Sequence, residues 1–427
     1  MKRIFVFLAI IGFGAVCSLD LQAQEVPEED VLTFSVYMNR VINSNIEYLA
    51  EKYNVDIARA NVQAARVFPD PELEINYANN QNWSLQMGYE WEAALTYTLE
   101  LGGKRRARID LAQSEKEMTE ALLEDYFHQL RADAVTAYLA ALKQRELYAI
   151  QQASYKQMWA LAQADSIRFR EGLIKEVEAQ QSMLEAITLL NDMYEGRADY
   201  QEALHELSWM QGLESVTLPD SLEGTLTYMK REFRPEDLVV TARNNRADLQ
   251  AALKSRDVSR HNLRLAKANR MIDLDLSIGG GYSSVVLNEE AAEPAFYAVT
   301  AGVSIPLKFS NANKGELNAA RFEAEQSDRQ YKAVELEIGT RVLQKYARYT
   351  AALQRVEQFN KGLLKQSEDI LQKIIYSYEY GETSILEVLN AQRTYNEVQE
   401  GYYEALFDCS VALVELERAC GIWDIEI

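Results

Sequence analysis

The sequence is poor in the residues that end helices. Only seven prolines occur in 427 residues, and none lies beyond Pro306. Neither proline nor glycine interrupts residues 104–171. Because proline breaks a helix interior and glycine weakens it, this stretch predicts one helix about 100 Å long. Apolar residues recur there at alternating three- and four-residue steps, which is typical of a coiled coil.

Cysteine and histidine are equally scarce, with three of each. Cys409 and Cys420 are eleven residues apart, about 16 Å along a helix, which is too far for a disulfide, so we predict two buried free thiols. No histidine spacing suits a metal, and no Ser/His/Asp or Cys/His group stands out. The three glycines at 279–281 match no nucleotide-binding loop and are expected to relieve a bend or crowding in a strand of a barrel. We therefore expect neither an enzyme nor a bound cofactor or metal site.

Positive charge is also limited. Lys and Arg together number 44 against 65 Asp and Glu, which gives a net charge of −21. A chain with this charge repels nucleic acid and favours cationic or neutral cargo. Nucleic acid is therefore not an expected partner.

The N-terminus is predicted to be a signal peptide covering residues 1–23. Lys2 and Arg3 precede a short apolar run, and the residues around Ala23 suit cleavage. The run is shorter than the ~20 residues that a spanning helix needs. Cys17 has no leucine three positions before it, which disfavours a lipoprotein signal. We expect the remaining chain to leave the cytoplasm.

The remaining chain contains two similar halves. Short segments match at an offset that drifts from 203 to 209 residues, as duplication followed by small insertions would leave. We predict a first repeat at 24–220 and a second at 221–427, each with a helix, a strand pair, a long helix, a turn and another helix. The predicted strands cover about 72–81, 83–101, 272–287 and 295–309. The predicted long helices cover about 104–171 and 314–380, and the helices after the turns about 173–211 and 382–420.

The predicted strands are unusually long. Apolar residues occupy every odd position from Trp83 to Leu101. Soluble strands are typically about 5–6 residues long, whereas a transmembrane strand needs about 9–11, with aromatic residues at the interfaces. This pattern favours lipid contact over the alternative, a long hairpin packed on helices in a soluble protein. The residues predicted to face lipid include Trp83, Tyr89, Trp91 and Tyr97.

Four strands cannot close a membrane barrel, since the smallest such barrels have about eight. An open strand edge in lipid leaves backbone groups unpaired, at a prohibitive cost. We therefore predict a barrel that is shared between copies of the chain. Two copies would supply eight strands and three would supply twelve, and this argument leaves the number open.

Between strand and helix, Leu99–Arg108 has the sequence LELGGKRRAR. This segment resembles the strand-to-helix junction of the cobalt-zinc-cadmium branch of the TolC family of outer-membrane efflux channels. The duplicated halves, the strand pairs and the long helices are also similar to that family. The resemblance implies a mainly α fold with a membrane β-barrel part: long coiled-coil helices form an α-barrel, and three chains share a 12-stranded β-barrel. Gly102 and Gly103 would form the barrel-to-tube junction.

The resemblance also implies a location and partners. The chain would lie in the outer membrane of a Gram-negative bacterium as a homotrimer, with lipid around the barrel and a large periplasmic portion. A periplasmic adaptor (membrane fusion) protein and an inner-membrane RND pump would complete the system. The function would be an exit duct for small toxic solutes, with metal cations as the favoured cargo. The alternatives are export of drugs or of a secreted polypeptide, and a soluble periplasmic coiled-coil tether.

Two glycine-marked turns would form the periplasmic end. Six residues after each glycine, Glu178 and Glu387 would by resemblance line the narrowest ring of the pore, where clustered carboxylates favour cations. Family members often have a second acid three residues further on, whereas this chain has Gln181 and Asn390, so we expect a weaker ring. The residues that would contact the adaptor are Gly172, Leu173, Ile174, Gly381, Glu382 and Thr383.

The basic run at 104–108 is unusual, because cations are disfavoured at a helix N-terminus. Lys104, Arg105, Arg106 and Arg108 all fall in the first turn or just after it. The alternatives are a solvated collar, contact with acidic neighbours such as Glu100, and contact with lipid head groups.

Overall fold

The computed structural model describes residues 31–81, 86–213, 219, 221–308 and 312–423. The predicted signal peptide and Trp83 lie outside these residues, so both stay predictions. The helices are α1 Phe34–Ser44, α2 Ile46–Arg66, α3 Lys104–Arg170, α4 Glu176–Met210, α5 Pro235–Asn245, α6 Ala247–Ala268, α7 Lys314–Gln358, α8 Leu364–Glu379 and α9 Ile385–Cys420. The strands are β1 Val31–Leu32, β2 Glu72–Asn79, β3 Tyr89–Leu99, β4 Ser221–Leu222, β5 Leu274–Ser283 and β6 Phe296–Ser304.

Helix α3 continues without interruption over 67 residues, since nothing in its sequence breaks a helix. The shorter helices α1 and α2 are separated at Asn45, whose side chain accepts a hydrogen bond from the Tyr48 N–H at 2.9 Å and caps α2. The same side chain donates to the Met210 carbonyl oxygen at 2.9 Å, so it also fixes the end of α4. Of the helices described, none is both long and apolar enough to cross a membrane.

The second long helix differs from the prediction of one helix over about 314–380. A five-residue π-helical segment, Phe359–Leu363, separates α7 from α8. Within it Gly362 has a φ of 108°, a conformation that residues with a Cβ rarely adopt. The prediction treated this glycine as tolerated inside a helix. The prediction of one continuous helix is wrong, because Gly362 has no Cβ and the backbone can therefore leave the helical region at this position.

Strands β2, β3, β5 and β6 form one antiparallel sheet in that order. Trp91 pairs with Tyr77 on one side and with Tyr282 on the other, and Tyr282 pairs with Tyr297. Because side chains alternate along each strand, this register places the apolar positions of all four strands on one face and the polar positions on the other. The described residues that were predicted to face lipid all share the apolar face: Tyr89, Trp91 and Tyr97.

The strands are shorter than the alternation predicts. β3 begins at Tyr89 instead of about residue 83, because Gln86 and Gly88 have positive φ angles of 48° and 78°. It ends at Leu99 because the left-handed Gly102 follows shortly after. β5 and β6 have ten and nine residues, against sixteen and fifteen predicted. The observed lengths of 8 to 11 residues stay close to the 9–11 that a tilted spanning strand needs.

The glycines of β5 allow close packing against both neighbouring strands. A Cβ on Gly279 would lie 2.8 Å from Thr300 Oγ1 and 2.9 Å from the Ala93 carbonyl oxygen. One on Gly281 would lie 3.0 Å from the Trp91 carbonyl oxygen. Of the two roles expected for these glycines, relief of crowding is observed at Gly279 and Gly281.

The helices continue the lateral order of the strands. Near the sheet α2 packs on α3, α3 on α6 and α6 on α7, which repeats the order β2, β3, β5, β6. Further along, α4 packs on α3, α3 on α9 and α9 on α8. The chain therefore has two lateral edges. We call α2, β2 and α4 the first edge, and β6, α7 and α8 the second edge.

The largest apolar core joins α3, α7 and α9 to the N-terminal helices. Within it Tyr138 is fully buried, and its hydroxyl hydrogen-bonds to the carbonyl oxygens of Leu32 at 3.0 Å and Glu223 at 2.6 Å. The parallel pair β1–β4 lies here and was not predicted, because its two-residue strands have no periodicity to detect. Cys409 and Cys420 are buried and free, as predicted, and burial raises the pKa of both thiols to about 11.

The basic residues that follow β3 bind the end of α2. Arg105 donates to the Arg66 carbonyl oxygen from Nε at 2.9 Å and from Nη2 at 2.6 Å. Arg108 donates to Glu100 Oε1 at 2.8 Å and also to carbonyl oxygens at the end of α2. Of the three roles considered for this basic run, contact with an acidic neighbour is observed, between Arg108 and Glu100. These cations oppose the dipole of α3 but are favoured by the negative C-terminal end of α2.

Two left-handed glycines connect β3 to α3. Gly102 and Gly103 have φ angles of 74° and 72°. Their surroundings differ, since a Cβ on Gly102 would overlap the Met271 side chain, whereas one on Gly103 would meet nothing within 4 Å. Next to them the buried Lys104 pairs with Asp273 at 2.5 Å, which ties this junction to the start of β5.

We expect Gly102→Ala to destabilise the protein more than Gly103→Ala. Both changes force a side chain into a left-handed conformation, at a cost of about 1–2 kcal/mol. Only the alanine at 102 also overlaps Met271, which adds about 1–3 kcal/mol. Thermal melting of the detergent-solubilised protein measures the difference. Equal melting temperatures for the two variants would contradict the crowding at Gly102.

Candidate functional site

The two glycine-marked turns have the same geometry. Gly172 and Gly381 follow α3 and α8 with φ angles of 75° and 79°. The N–H groups of Leu173 and Glu382 each donate, at 2.9 Å, to a carbonyl oxygen five residues earlier. This bond is the Schellman closure of a helix C-terminus. The turns are therefore equivalent apices of two hairpins, which we call the first hairpin (α3–α4) and the second hairpin (α8–α9).

The residues predicted to contact an adaptor all lie at these apices. Gly172, Leu173, Gly381 and Glu382 are exposed, with Leu173 67% exposed, whereas the other two residues are half-buried. One of these, Thr383, has a buried hydroxyl with no hydrogen-bond partner among the described residues. The apices thus present exposed backbone and side-chain surface at the end of each hairpin.

Glu178 and Glu387 occupy the third positions of α4 and α9. The Glu178 side chain accepts a hydrogen bond from the Lys175 N–H at 3.1 Å and so caps α4, and it is half-buried. Glu387 is exposed. Carboxylates at a helix N-terminus are favoured by the helix dipole. At least Glu178 therefore has a structural role beside the predicted role in the pore.

A hydrogen bond between two buried side chains joins the two hairpins just above the apices. The Tyr378 hydroxyl of α8 donates to Asp165 Oδ1 of α3 at 3.0 Å. Asp165 is fully buried, and Arg168 Nη1 lies 3.6 Å from the same oxygen. Burial raises the pKa of Asp165, and hydrogen bonds from Ser182 and Tyr378 together with the Arg168 charge oppose this rise. The pKa of Tyr378 is likewise raised, mainly by burial and then by the Asp165 charge.

Sequence reasoning missed this contact. Asp165 lies on the same stripe of α3 as Met158 and Ala162, which are buried against α4. A carboxylate at an apolar position of a heptad-like stripe is the signal that marks such a residue. Its partner Tyr378 is 213 residues away in the chain, and no local pattern connects the two.

A second polar contact joins the hairpins further from the apices. The Ser154 hydroxyl on α3 donates to Asn396 Oδ1 on α9 at 2.7 Å. Gln392 Nε2 donates to the same oxygen at 3.0 Å. Ser154 and Gln392 are almost fully buried, so these bonds fix the relative height of α3 and α9.

An apolar groove of about 630 Å³ follows the first hairpin above its apex. Two of its residues on α4 are well exposed, Leu184 at 67% and Ile187 at 46%. The apolar lining comprises Phe169, Ala179, Met183, Leu184 and Ile187.

The polar face of the sheet is acidic. The four described strands contain no Lys or Arg, and the register aligns their carboxylates on the face opposite the apolar one. One of them, Asp275, accepts a hydrogen bond from the Thr98 hydroxyl at 2.6 Å. Across the described part of the chain, no group of three or more His, Cys, Asp or Glu is placed to hold a metal ion. The carboxylates of this face are Glu72, Glu74, Glu90, Glu92 and Asp275.

A sequence profile described as "outer membrane efflux protein" matches residues 38–212 and 238–422, one segment in each half. The chain belongs to this family. It is an outer-membrane efflux channel and not an enzyme, which confirms the predicted resemblance to TolC-like channels. Members of the family are the outer-membrane components of tripartite efflux systems and work with adaptor and pump proteins.

Individual relatives cover nearly the whole chain. The cobalt-zinc-cadmium resistance protein CzcC of Cupriavidus metallidurans is 24% identical over 391 residues, 91% of this chain and 90% of that protein. The Campylobacter jejuni CmeC outer membrane channel superposes with a TM-score of 0.75 at 12% identity, covering 91% and 85% of the two chains. The open state of the Neisseria gonorrhoeae MtrE outer membrane channel gives 0.71 at 16% identity, covering 90% and 88%. The solved structures support the fold.

Acidification should tighten the contact between the two hairpins. The pKa of Asp165 is raised in the folded chain, so protonation of this carboxyl stabilises the fold. This stabilisation is fully present below the usual carboxyl pKa and is lost as the pH rises through the raised value. After correction for intrinsic rates, amides at the end of α8 should exchange hydrogen more slowly at a pH near the usual carboxyl pKa of ~3.9 than at neutral pH. Asp165→Asn, which does not titrate, should remove this difference. A pH response that persists in the variant would assign it to another group.

Proposed function

We propose that this chain forms the outer-membrane exit duct of a tripartite efflux system as a homotrimer with a shared 12-stranded β-barrel. The observation that carries the proposal is the four-stranded sheet, which has one apolar face and one acidic face. Its edge strands β2 and β6 each have one side that no described strand pairs with. In lipid each unpaired backbone group costs several kcal/mol. Pairing of β2 in one copy with β6 in the next removes every edge. Three copies match the number implied by the resemblance to the TolC family.

The apolar face of the sheet is proposed to contact lipid. Tyr77, Trp91, Tyr282 and Tyr297 form a row across all four strands, and the Tyr282 and Tyr297 rings lie 5.0 Å apart. The row lies near the strand ends that are farthest from the helices. Membrane barrels place aromatic girdles at this level, where a ring contacts both lipid and water. Tyr89 and Tyr97 extend the lipid-facing set, and Trp83 lies outside the described residues.

An adaptor and an RND-type inner-membrane pump are the proposed partners. The adaptor would contact the two apices, where Leu173 and Glu382 are exposed and the backbone turns are equivalent. The pump would supply the energy, and the duct would be a passive conduit. The apex residues assigned to the adaptor are Gly172, Leu173, Ile174, Gly381, Glu382 and Thr383.

Metal cations are the proposed cargo. One support is the similarity to a relative named as a cobalt-zinc-cadmium resistance protein. A second support is the acidic face of the sheet, which would line the barrel lumen when the apolar face contacts lipid. Carboxylates in a narrow, low-dielectric passage attract cations and exclude anions.

Deletion of the gene should make the bacterium several-fold more sensitive to divalent cobalt, zinc or cadmium. Growth inhibition is measured across these salts and a panel of organic drugs, and wild-type protein is returned as the positive control. Returning the triple variant Glu74→Gln, Glu90→Gln, Glu92→Gln should restore only part of the resistance, because the lumen loses charge. Sensitivity to drugs alone would favour a drug duct. Recovery of the protein in the soluble periplasmic fraction would favour a tether.

Glu178 and Glu387 are proposed to form the narrowest ring, which would contain six carboxylates in a trimer. The Asp165–Tyr378 hydrogen bond would hold the two hairpins together in the closed state. Adaptor contact at the apices would break this bond and separate the hairpins. Three residues after these glutamates the chain has Gln181 and Asn390, which are uncharged, and this agrees with a ring of moderate cation affinity.

In planar bilayers, Glu178→Gln combined with Glu387→Gln should weaken block by divalent cations by about tenfold, equivalent to about 1.4 kcal/mol. Glutamine removes the charge but keeps an oxygen that can accept the Lys175 N–H, so the cap of α4 is preserved. Single-channel recording over a range of cation concentrations measures the block.

The matched control for this experiment is Glu202→Gln, which removes an exposed charge further along α4. It should leave the block unchanged, because it lies far from the apex. If the double variant is blocked as strongly as the wild type, the two glutamates do not form the ring.

A further inference from the structure

Basic residues are concentrated where the helices meet the sheet. The two helical turns next to the sheet contain ten Lys and Arg but only two Asp and Glu, in a chain whose net charge is −21. The next two turns of the same helices contain six basic and eight acidic residues, so the excess is confined to one level. We call the residues of this level the collar: 59–66 of α2, 104–111 of α3, 261–268 of α6 and 314–321 of α7.

Half of the collar cations have no partner within the chain. Their side chains are exposed and form no hydrogen bond or ion pair with any residue that the structure describes. Isolated exposed cations are ordinary on a protein surface, but their restriction to one level of an acidic chain indicates an anionic surface at that level. The five residues are Arg66, Arg106, Arg264, Lys267 and Lys314.

On α3 the unpaired cation points to the apolar side of the layer. Lys104 pairs with Asp273, which continues the polar alternation of β5, so Lys104 lies on the polar side. One step of about 100° further round the helix, Arg105 donates to the end of α2. A second step places Arg106 about 200° from Lys104, on the side of the apolar face of the sheet.

Arg66 on α2 points to the same side. Two antiparallel neighbouring helices are related by a twofold rotation perpendicular to their layer, and this rotation keeps the two sides of the layer unchanged. On α3 the residue that follows the α2-facing Arg105 points to the apolar side. On α2 the residue that follows an α3-facing position therefore does so too. Ala65 is such a position, since it is buried in a cluster with Ala112 of α3, and Arg66 follows it.

Lys267 on α6 points to the apolar side for the same reason. α6 packs on the side of α3 opposite α2, so the α6-facing position of α3 is the one that directly follows Arg106. On α6, Ala268 is buried and lies fourteen residues, or two heptads, after Lys254, which forms an ion pair with α3. Ala268 therefore faces α3. The twofold rotation then places Lys267, which precedes Ala268, on the side of Arg106.

Lys314 on α7 completes this side of the collar. Arg260 of α6 binds Asp328 of α7 at 3.1 Å, so these two side chains lie on one side of the layer. Lys267 is seven residues after Arg260, and Lys314 is fourteen residues before Asp328, so both continue these faces. The exposed cations of all four helices thus lie on the side of the apolar face of the sheet.

Exposed apolar residues lie between the collar and the sheet. Phe68, Met271 and Leu307 are 58%, 51% and 61% exposed, and each belongs to a segment that joins a helix to a strand. A row of exposed apolar side chains next to exposed cations is typical of a surface at the boundary of a bilayer, where apolar groups enter the acyl region and cations meet phosphate.

We infer that the collar binds the phosphate groups of anionic phospholipids in the periplasmic leaflet of the outer membrane. This inference rests on the lipid contact proposed for the apolar face of the sheet, with which the cations share a side. Anionic lipids attract basic residues that lie next to a membrane-spanning segment. They repel the acidic helices further from the sheet, so the collar sets the depth at which the barrel lies in the membrane.

Binding of single lipids to the detergent-solubilised channel tests this inference. Tail-labelled phosphatidylglycerol and phosphatidylethanolamine are titrated in parallel, and the lipid bound per chain is counted after gel filtration. The wild type should bind phosphatidylglycerol at least about tenfold more tightly. The preference should disappear in 1 M salt, where the screening length is about 3 Å. It should also disappear in the quadruple variant Arg66→Gln, Arg106→Gln, Lys267→Gln, Lys314→Gln.

The matched control removes four exposed cations from other levels of the chain and should keep the preference. If the glutamine variant of the collar does not fold, a charge-preserving variant that should also keep the preference decides, together with the salt dependence of the wild type. The control is Arg197→Gln, Arg243→Gln, Lys365→Gln, Lys373→Gln, and the charge-preserving variant is Arg66→Lys, Arg106→Lys, Lys267→Arg, Lys314→Arg.

Three results would overturn the lipid site: equal binding of the two lipids by the wild type, a preference that survives 1 M salt, and a preference that the folded glutamine variant keeps. Binding to isolated peptidoglycan without a preference for phosphatidylglycerol would assign the collar to the cell wall instead. Membrane-inserted protein without the preference overturns the collar alone. Recovery of the protein in the soluble periplasmic fraction overturns the proposed function as well.

Discussion

Backbone hydrogen bonding at the edges of one four-stranded sheet constrains the rest of this protein. β2 and β6 each leave one side of their backbone without a partner strand in the described chain. Water satisfies such groups, but lipid does not. A channel of the outer membrane therefore needs a partner at both edges, and in the proposed assembly a second copy of the same chain would supply complementary edges. Because the helices repeat the lateral order of the strands within the chain, closure of the sheet in that assembly would also bring α2 beside α7 and α4 beside α8 of neighbouring copies.

Basic residues of α3 stabilise the transition from sheet to helices by binding the C-terminal end of α2. Arg105 and Arg108 follow the start of α3, where the dipole disfavours them, yet they donate to carbonyl oxygens at the end of α2. Lys104 pairs with Asp273 at the start of β5. The junction thus ties together both repeats within a few residues of Gly102.

The two repeats are similar in order but differ in the continuity of their long helices. The first hairpin contains the unbroken α3, whereas the second is preceded by the π-helical segment and by Gly362 in a non-helical conformation. The buried Asp165–Tyr378 bond joins the continuous element to the interrupted one. In the proposed opening by separation of the hairpins, the first hairpin would supply the continuous element and the second the interrupted one.

Much of the fold could be predicted from local patterns. Odd-position apolar residues such as Trp91 and Tyr97 correctly indicated which strand face is apolar, because side-chain alternation follows from backbone geometry alone. Element ends were less accurate. Gln86 and Gly88 continue the alternation but have positive φ, so the pattern extends beyond the strand. The apices were identified as turns from their glycines, but the buried Asp165 beside them was not.

The sequence by itself determined the periodicities, the duplication, the glycine turns and the sign of the charge. These properties depend on residues that are close together in the chain. Only the tertiary structure decided that Tyr378 binds Asp165, that Arg105 caps α2 and that α4 and α8 form the outer helices. The two hydrogen bonds join residues that are 213 and 39 positions apart. Their partners are selected by how the long helices pack, which no local pattern specifies.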